Sequence, residues 1–172
     1  MKVILILFVC FLGLNNGNCT GNNNLSKAVI DTPNIIKKIQ TDFVNINSRL
    51  KFYKKKHKET FEMSAEGGDV TGYYDKGTLK KVHCIYYGEM GKAEVDYYFN
   101  EKGLFFLYKR EIFYDKPMYQ KDFKVKSTIE TRYYINEKKI VKSISKPVGS
   151  AVLPYKEIEQ EVKQIVNILN SK

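Results

Sequence analysis

The sequence predicts an α+β fold: a single antiparallel β-meander sheet of about seven strands, flanked by an N-terminal and a C-terminal helix. Short Tyr- and Phe-rich runs alternate with Gly- and Asn-containing turns through the middle of the chain, which is the pattern of an antiparallel meander. Helical periodicity occurs near the two ends, and helices segregated in this way are typical of α+β domains. The 13 Tyr and 10 Phe residues fit the pleated surface of a sheet. We expect one curved sheet with the helices against its apolar face.

Apolar residues at three- and four-residue steps predict the two helices. The first begins at Asp31-Thr32-Pro33, where Asp or Thr can cap the helix and Pro is tolerated in the first turn. The second opens at Pro154 and carries acidic residues early, where the helix dipole favours negative charge. The two apolar stripes consist of Ile35, Ile36, Ile39, Phe43, Ile46 and Leu50, and of Tyr155, Ile158, Val162, Ile165, Val166 and Leu169.

Turn sequences divide the region between the helices into short runs. The predicted strands are a run around Glu59–Ser64, then Val70–Tyr74, Thr78–Tyr87, Lys92–Phe99, Leu104–Tyr114, Thr128–Ile135 and Ile140–Ser145. Asp115–Ser127, which contains Pro117, is predicted to be a loop or an irregular edge. Leu79 would fall on the polar face of the sheet, and a β-bulge near Gly77 would correct its orientation.

The register of two hairpins follows from the alternation of apolar and polar residues. A loop at Gly88–Gly91 places Tyr86 opposite Ala93, Cys84 opposite Val95, Val82 opposite Tyr97, His83 opposite Asp96 and Tyr87 opposite Lys92. A loop at Glu101-Lys102 places Phe99 opposite Leu104, Tyr97 opposite Phe106, Val95 opposite Tyr108, Glu94 opposite Lys109 and Lys92 opposite Glu111. In both hairpins one face is apolar, and the second also gains two pairs of opposite charges, which are favourable across a strand pair.

The first residues have the three-part layout of a secretory signal peptide. A short positive start, Met1-Lys2, precedes the 12 residues of Val3–Leu14, an apolar run broken by Gly13 alone. A helix of that length is too short to span about 30 Å of hydrocarbon. The predicted organisation is a signal peptide over residues 1–19, a flexible tether over 20–30 and a single α+β domain over 31–172.

Cys19 leaves two outcomes open for the mature N-terminus. Bacterial lipoproteins are cleaved just before a Cys that is then acylated, which would tether this protein to a membrane through Cys19. The preceding residues Asn16, Gly17 and Asn18 match that signal poorly. Cys84 is expected to be a buried thiol, and a Cys19–Cys84 disulfide is the alternative in an export compartment.

The formal net charge of +10 could attract nucleic acid, an anionic membrane or an acidic polymer. The lysines are spread along the chain and no nucleic-acid-binding signature accompanies them, so no nucleic acid partner is expected. The most basic run, Lys51–Lys58, is either an anion-binding patch or a solvated connector, and the second interpretation is favoured.

The residues that could bind a ligand or carry chemistry concentrate in one predicted hairpin. The ligand-binding candidates are Tyr87, Tyr98, His83, Asp96, Glu89 and Lys92. Exposed Tyr rings favour partner or sugar binding, although the same rings would also pack well beneath a helix. His83 held by Asp96 would have the geometry of a general base, but no nucleophile with a local signature accompanies it. No metal-ligand spacing, nucleotide fingerprint or hydrolase motif is present, so no cofactor, metal or catalytic residue is assigned.

Several segments together resemble a group of uncharacterised exported proteins of Gram-negative bacteria. They are Tyr86-Tyr87-Gly88-Glu89-Met90-Gly91-Lys92, Asp96-Tyr97-Tyr98-Phe99, Gly103-Leu104-Phe105-Phe106, Tyr114 and Pro117-Met118-Tyr119. The resemblance covers about a third of the chain. It implies a bacterial envelope or secreted setting and assigns no activity, so it assigns no functional residue.

The sequence as a whole favours an exported, non-catalytic binding or structural domain of the bacterial envelope, periplasmic or extracellular. Its partner would be an unidentified protein or glycan, and the chain is expected to be a monomer. The first alternative is a small secreted or periplasmic protein inhibitor. The second is a hydrolase that uses His83 and Asp96.

Overall fold

A seven-stranded antiparallel sheet organises the structure, a computed structural model that describes residues 32–171. Its strands are β1 (Lys54–Thr60), β2 (Gly68–Asp75), β3 (Thr78–Gly88), β4 (Gly91–Asn100), β5 (Gly103–Tyr114), β6 (Val125–Asn136) and β7 (Lys139–Lys146). Each strand pairs with the next one along the chain. Helix α1 (Thr32–Arg49) and a 3-10 turn (Leu50–Phe52) precede the sheet, and helix α2 (Tyr155–Asn170) follows it. The predicted α+β meander with a helix at each end is confirmed. The expectations for the signal peptide, the tether and Cys19 lie outside the described residues.

The two helices pack on opposite faces of the sheet. Successive residues of a strand point to opposite faces, so the neighbours Tyr97 and Tyr98 lie on different sides. The side that we call the α2 face joins Tyr97, Val82 and Leu107 to Ile158, Ile165 and Leu169 of α2. The other side, the α1 face, joins Tyr98, Phe106 and Tyr134 to Ile39 and Ile46 of α1. The expectation that both helices cover one apolar face is therefore wrong, because the centre of the sheet is apolar on both faces.

The hairpin of β3 and β4 has the predicted register. Tyr86 pairs with Ala93, Cys84 with Val95, Val82 with Tyr97, His83 with Asp96 and Tyr87 with Lys92. Cys84 is free and buried, as expected. The predicted bulge near Gly77 is also present: the register shifts between Tyr73 and Tyr74, and Leu79 packs on the α2 face.

The hairpin of β4 and β5 departs from its predicted register after one pair. Phe99 pairs with Leu104 as expected, but a bulge then leaves Phe105 without an opposite residue. The actual partners are Leu107 for Tyr97, Lys109 for Val95, Arg110 for Glu94 and Ile112 for Lys92. Phe105 and Phe106 both enter the cluster on the α1 face. The extra residue therefore lets two consecutive Phe residues pack in the same core.

Strand β1 begins earlier than predicted. The sequence placed a strand around Glu59–Ser64, whereas the strand spans Lys54–Thr60 and pairs with β2 throughout. Most of its side chains are exposed, which a lysine-rich strand tolerates at the edge of a sheet. The basic run is thus largely an edge strand. Neither α1 nor α2 is long and apolar enough to cross a bilayer.

Candidate functional site

The predicted site residues lie in β3, β4 and the turn between them, but they do not form one ligand site. Alternation along the strands places His83, Tyr87, Lys92, Asp96 and Tyr98 on the α1 face. Helix α1 covers Tyr98, which is 2% exposed, whereas His83, Tyr87, Lys92 and Asp96 are half-buried. Tyr98 is therefore a core residue and cannot contact a ligand in this structure.

Asp96 is the centre of a charged cluster that the sequence only partly predicted. Its Oδ1 lies 2.8 Å from Nδ1 of His83 and 3.0 Å from Nζ of Lys81. Burial alone would raise the pKa of Asp96, but the hydrogen bonds and positive charge of His83 and Lys81 outweigh it and lower the pKa. Asp96 is thus held ionised beside a cation that is itself nearly buried.

Lys81 connects this cluster to α1. The side chain of Lys81 is buried, and Nζ lies 5.0 Å from the ring centroid of Tyr98. The hydroxyl of Tyr98 donates to Oδ1 of Asn47 in α1 at 3.1 Å. Burial would lower the pKa of Lys81, but Asp96 and Tyr98 together raise it. This arrangement is the one expected of a structural ion pair beneath a helix.

The arrangement does not favour the hydrolase hypothesis. A general base needs a nucleophile within hydrogen-bond reach. Cys84, next to His83 in sequence, points to the opposite face and is fully buried. Burial raises the pKa of the Cys84 thiol to about 12. Cys84 therefore cannot serve His83 as a nucleophile.

Two further carboxylates, Glu94 on the α1 face and Glu111 on the α2 face, are paired with nearby cations. Glu94 lies 2.7 Å from Nζ of Lys92 and 3.7 Å from Arg110. Glu111, expected opposite Lys92, instead pairs with Lys109 of its own strand at 2.9 Å. The two predicted charge pairs across β4 and β5 are therefore wrong, because the bulge at Phe105 shifts every later pair by one residue.

A second polar cluster lies on the same face at the edge of the sheet. The hydroxyl of Tyr87 donates to Oδ2 of Asp69 at 2.8 Å. Nε2 of His57 lies 3.4 Å from Oδ1 of Asp69, and Nδ1 lies 3.1 Å from Oγ1 of Thr71. Sequence reasoning missed this cluster, because its members come from β1, β2 and β3 and meet only once the register of those strands is known.

Exposed apolar side chains gather where the β3–β4 turn meets the β5–β6 loop. We call this region the apolar end; it consists of Met90, Phe113, Met118, Tyr119, Phe123 and Val125. Glu89, the last predicted site residue, helps to hold it together: its Oε1 accepts a hydrogen bond from the hydroxyl of Tyr119 at 2.9 Å. A shallow cavity of about 300 Å³ lies beside it, lined in part by Met90 and Phe113.

No protein-family model, curated protein or solved structure matches this chain. The resemblance to exported Gram-negative proteins therefore stays a prediction. Because one fold can host many functions, function has to be argued from the surfaces themselves.

Proposed function

We propose that this chain is an exported, non-catalytic binding domain of the bacterial envelope that docks on an anionic membrane surface through the apolar end. The observation that carries the proposal is the coincidence, at one end of the sheet, of exposed apolar side chains and a group of lysines. Export is supported by the signal-like layout of residues 1–19, a pattern that is typical of secreted proteins.

The apolar end exposes several large apolar side chains close to one another. Its six large side chains are between 40% and 74% exposed, and they come from neighbouring segments. Single exposed apolar residues are common, but a contiguous group of them marks an interaction surface. Met, Phe and Val can insert among lipid chains, and the amphipathic ring of Tyr119 suits the level of the headgroups.

Hydrogen bonds hold the apolar end in place. The backbone amide of Met118 donates to the carbonyl of Glu89 at 2.9 Å, and that of Tyr114 donates to the carbonyl of Met90 at 2.8 Å. The amide of Lys124 donates to Oδ1 of Asp115 at 2.8 Å. The apolar side chains are thus displayed by a defined loop, so membrane contact would not require the loop to become ordered first.

The net charge of residues 113–126, which include most of the apolar end, is complementary to an anionic surface. Four lysines, Lys116, Lys121, Lys124 and Lys126, stand within residues 113–126 against two acids, Asp115 and Asp122. Asp115 is already engaged by the Lys124 amide. A lysine near an anionic leaflet contributes about 1 kcal/mol. Lysines around exposed apolar side chains are typical of segments that bind the interfacial region of a bilayer.

The test is co-sedimentation of the full chain with vesicles of phosphatidylcholine containing phosphatidylglycerol, and with vesicles of phosphatidylcholine alone. We expect binding to the anionic vesicles that weakens as salt is added. Tyr119→Ser and the pair Lys121→Glu with Lys124→Glu should each reduce the bound fraction severalfold. The leader is present in every variant, so the comparison between variants isolates the contribution of the domain.

Matched controls separate the apolar end from general stickiness and net charge. Phe52→Ser removes a ring that is as exposed as Tyr119, and Lys139→Glu with Lys142→Glu on β7 makes the same change in net charge. Both should bind as the parent does. The membrane proposal would be overturned if the chain bound neutral and anionic vesicles equally, or if the control variants lost as much binding as the test variants. It would also be overturned if the chain bound no vesicles but captured a protein in stoichiometric amount. The last result would instead support the inhibitor alternative.

A further inference from the structure

The edge of the α1 face brings together an imidazole and two carboxylates. His57 and Glu59 are two residues apart on β1 and so point to the same side of the sheet. Asp69 of β2 is the direct partner of Glu59 in the strand register. One ligand atom from each of the three residues can be chosen so that all three lie within 4.8 Å of one another. Imidazole nitrogen and carboxylate oxygen are ligands that Zn²⁺ and related divalent ions accept.

Neighbouring side chains orient two of these groups. Nδ1 of His57 lies 3.1 Å from Oγ1 of Thr71, the residue directly opposite it. With Nδ1 donating to Thr71, the lone pair of Nε2 is free to bind a metal. The hydroxyl of Tyr87 binds Oδ2 of Asp69 at 2.8 Å, while Oδ1 lies near His57. Metal sites in proteins commonly position their His and carboxylate ligands with such outer hydrogen bonds.

The separation of the His57 and Asp69 ligand atoms fits a shared ion better than a direct hydrogen bond. Nε2 of His57 and Oδ1 of Asp69 are 3.4 Å apart, which is longer than the roughly 2.7–3.2 Å of an ordinary N–H···O hydrogen bond. Two ligands at about 2.0–2.2 Å from a tetrahedral zinc ion are roughly 3.3–3.6 Å apart. The pair therefore already has the separation that coordination of one ion would require.

The neighbouring lysines of β1 do not occupy the place that a bound cation would take. Lys56 and Lys58 alternate with His57 and Glu59 along β1 and so point away from the α1 face. Lys55 shares that face, but its Nζ lies 5.5 Å from the ring centroid of Tyr73. The two carboxylates of Glu59 and Asp69 match the charge of one divalent ion.

We propose that His57, Glu59 and Asp69 bind one divalent transition-metal ion of the Zn²⁺ type. The ion would join edge strand β1 to β2 and, with three protein ligands, keep a fourth position for water or for a donor group of a partner. The proposal does not depend on membrane docking, which uses a different set of residues.

The test is titration of the full chain with Zn²⁺ by calorimetry and with Co²⁺ by its visible absorption. His57→Ala and Asp69→Asn should each remove one bound ion per chain and the Co²⁺ bands of an oxygen- and nitrogen-ligated site. Thr71→Val and Tyr87→Phe remove only the outer hydrogen bonds and should weaken binding roughly tenfold. His57 and Asp69 contact solvent, so circular dichroism should show that their variants remain folded.

His83→Ala is the matched control, because His57 and His83 are the two histidines of the chain. It should leave the affinity and stoichiometry for Zn²⁺ unchanged. Unchanged binding in both His57→Ala and Asp69→Asn would overturn the proposal. So would an equal loss in His83→Ala, or Co²⁺ bands that show thiolate ligation alone and persist in His57→Ala.

Discussion

The carboxylate of Asp96 accepts a hydrogen bond from His83 and pairs with the ammonium group of Lys81, whose side chain is the more buried of the two partners. A buried ammonium group is costly unless a partner of opposite charge accompanies it. Removing the charge of Asp96 would leave Lys81 uncompensated beneath α1. We therefore expect Asp96 to contribute mainly to the stability of the folded chain.

Asp96→Asn should lower the free energy of unfolding at neutral pH by about 3 kcal/mol, at the low end of the range for breaking a buried pair because Asp96 keeps some contact with solvent. Urea denaturation followed by circular dichroism measures the change. Glu137→Gln breaks an exposed pair with Lys102 and should change it by less than about 0.5 kcal/mol. Equal effects of the two substitutions would contradict the structural role of Asp96.

The ion pair of Asp96 and Lys81 predicts that the stability of the chain depends on pH. The pKa of Asp96 is lower in the folded chain than its ordinary value of 3.8, so its contribution is present above that value and is lost as the pH falls through the folded-state pKa. The pKa of Lys81 is raised above 10.5, so its contribution is lost only as the pH rises through that higher value. The stability difference between the parent and Asp96→Asn should therefore shrink in acid. A difference that stays constant down to pH 2 would refute this linkage.

Cys84 should be chemically inert while the chain is folded. The reactive species of a cysteine is the thiolate, and burial raises the pKa of this thiol to about 12. We expect iodoacetamide at pH 8 to leave Cys84 unlabelled in the native protein and to label it in concentrated urea, as read by mass spectrometry of the peptide that contains it. Rapid labelling of the native chain would show that the thiol is accessible.

At the scale of single elements, alternation predicted the register of a hairpin wherever that hairpin was regular. The pairing of His83 with Asp96 followed from the alternation and the turn at Gly88–Gly91. The pairing of Glu94 with Arg110 did not follow from the alternation, because a bulge at Phe105 shifts the register. That bulge depends on how Phe105 packs beneath α1, and the local alternation of apolar and polar residues does not reveal it. The cluster of His57, Glu59 and Asp69 was missed for a related reason: strand register brings Asp69 and His57 together, and the sequence had placed the start of β1 five residues too late.

Gly91 is predicted to be essential to the β3–β4 hairpin. A Cβ at this position would lie 2.2 Å from the carbonyl oxygen of Ile112, whereas at Gly88 the nearest atom would be 3.4 Å away. Gly91→Ala should destabilise the fold by about 3 kcal/mol, because neighbouring backbone must shift. Gly88→Ala is the control and should cost under about 1 kcal/mol by the same denaturation assay. Similar costs for both would argue against the close approach of β4 and β5 at this point.

At the scale of the whole molecule, the sequence predicted the number and order of the elements but not the layers in which they stack. Alternation places one ring of each Tyr-Tyr pair on each face of the sheet, and the sequence was compatible with an exposed aromatic face or with a second covered one. The pairs are Tyr86-Tyr87, Tyr97-Tyr98 and Tyr133-Tyr134. The structure has the second arrangement, since Tyr98 and Tyr134 are buried on the α1 face. Which face a terminal helix covers depends on the path of the connecting chain, and the periodicity of the helix does not encode that path.

The docking of α1 can be tested through adjacent residues of that helix. Phe43 lies 5.0 Å from the ring of Tyr98 and 5.2 Å from that of Phe106, measured between centroids, whereas Val44 is exposed. Phe43→Ala should lower the free energy of unfolding by about 3 kcal/mol. Val44→Ala should be neutral or slightly stabilising, because Ala is the better helix former. A small effect of Phe43→Ala would mean that α1 contributes little to the stability of the sheet.

An open meander has two edge strands, and both carry lysines. β1 contains Lys54, Lys55, Lys56 and Lys58, and β7 contains Lys139, Lys142 and Lys146. Unpaired strand edges invite another chain to add to the sheet, and like charges oppose such pairing. Because that repulsion acts over only about 8 Å at physiological ionic strength, we expect light scattering to show a monomer in dilute buffer and self-association as salt rises. The basic character of the chain would then protect it from aggregation, and a mass that is independent of salt would show that repulsion between edges is not what keeps copies apart.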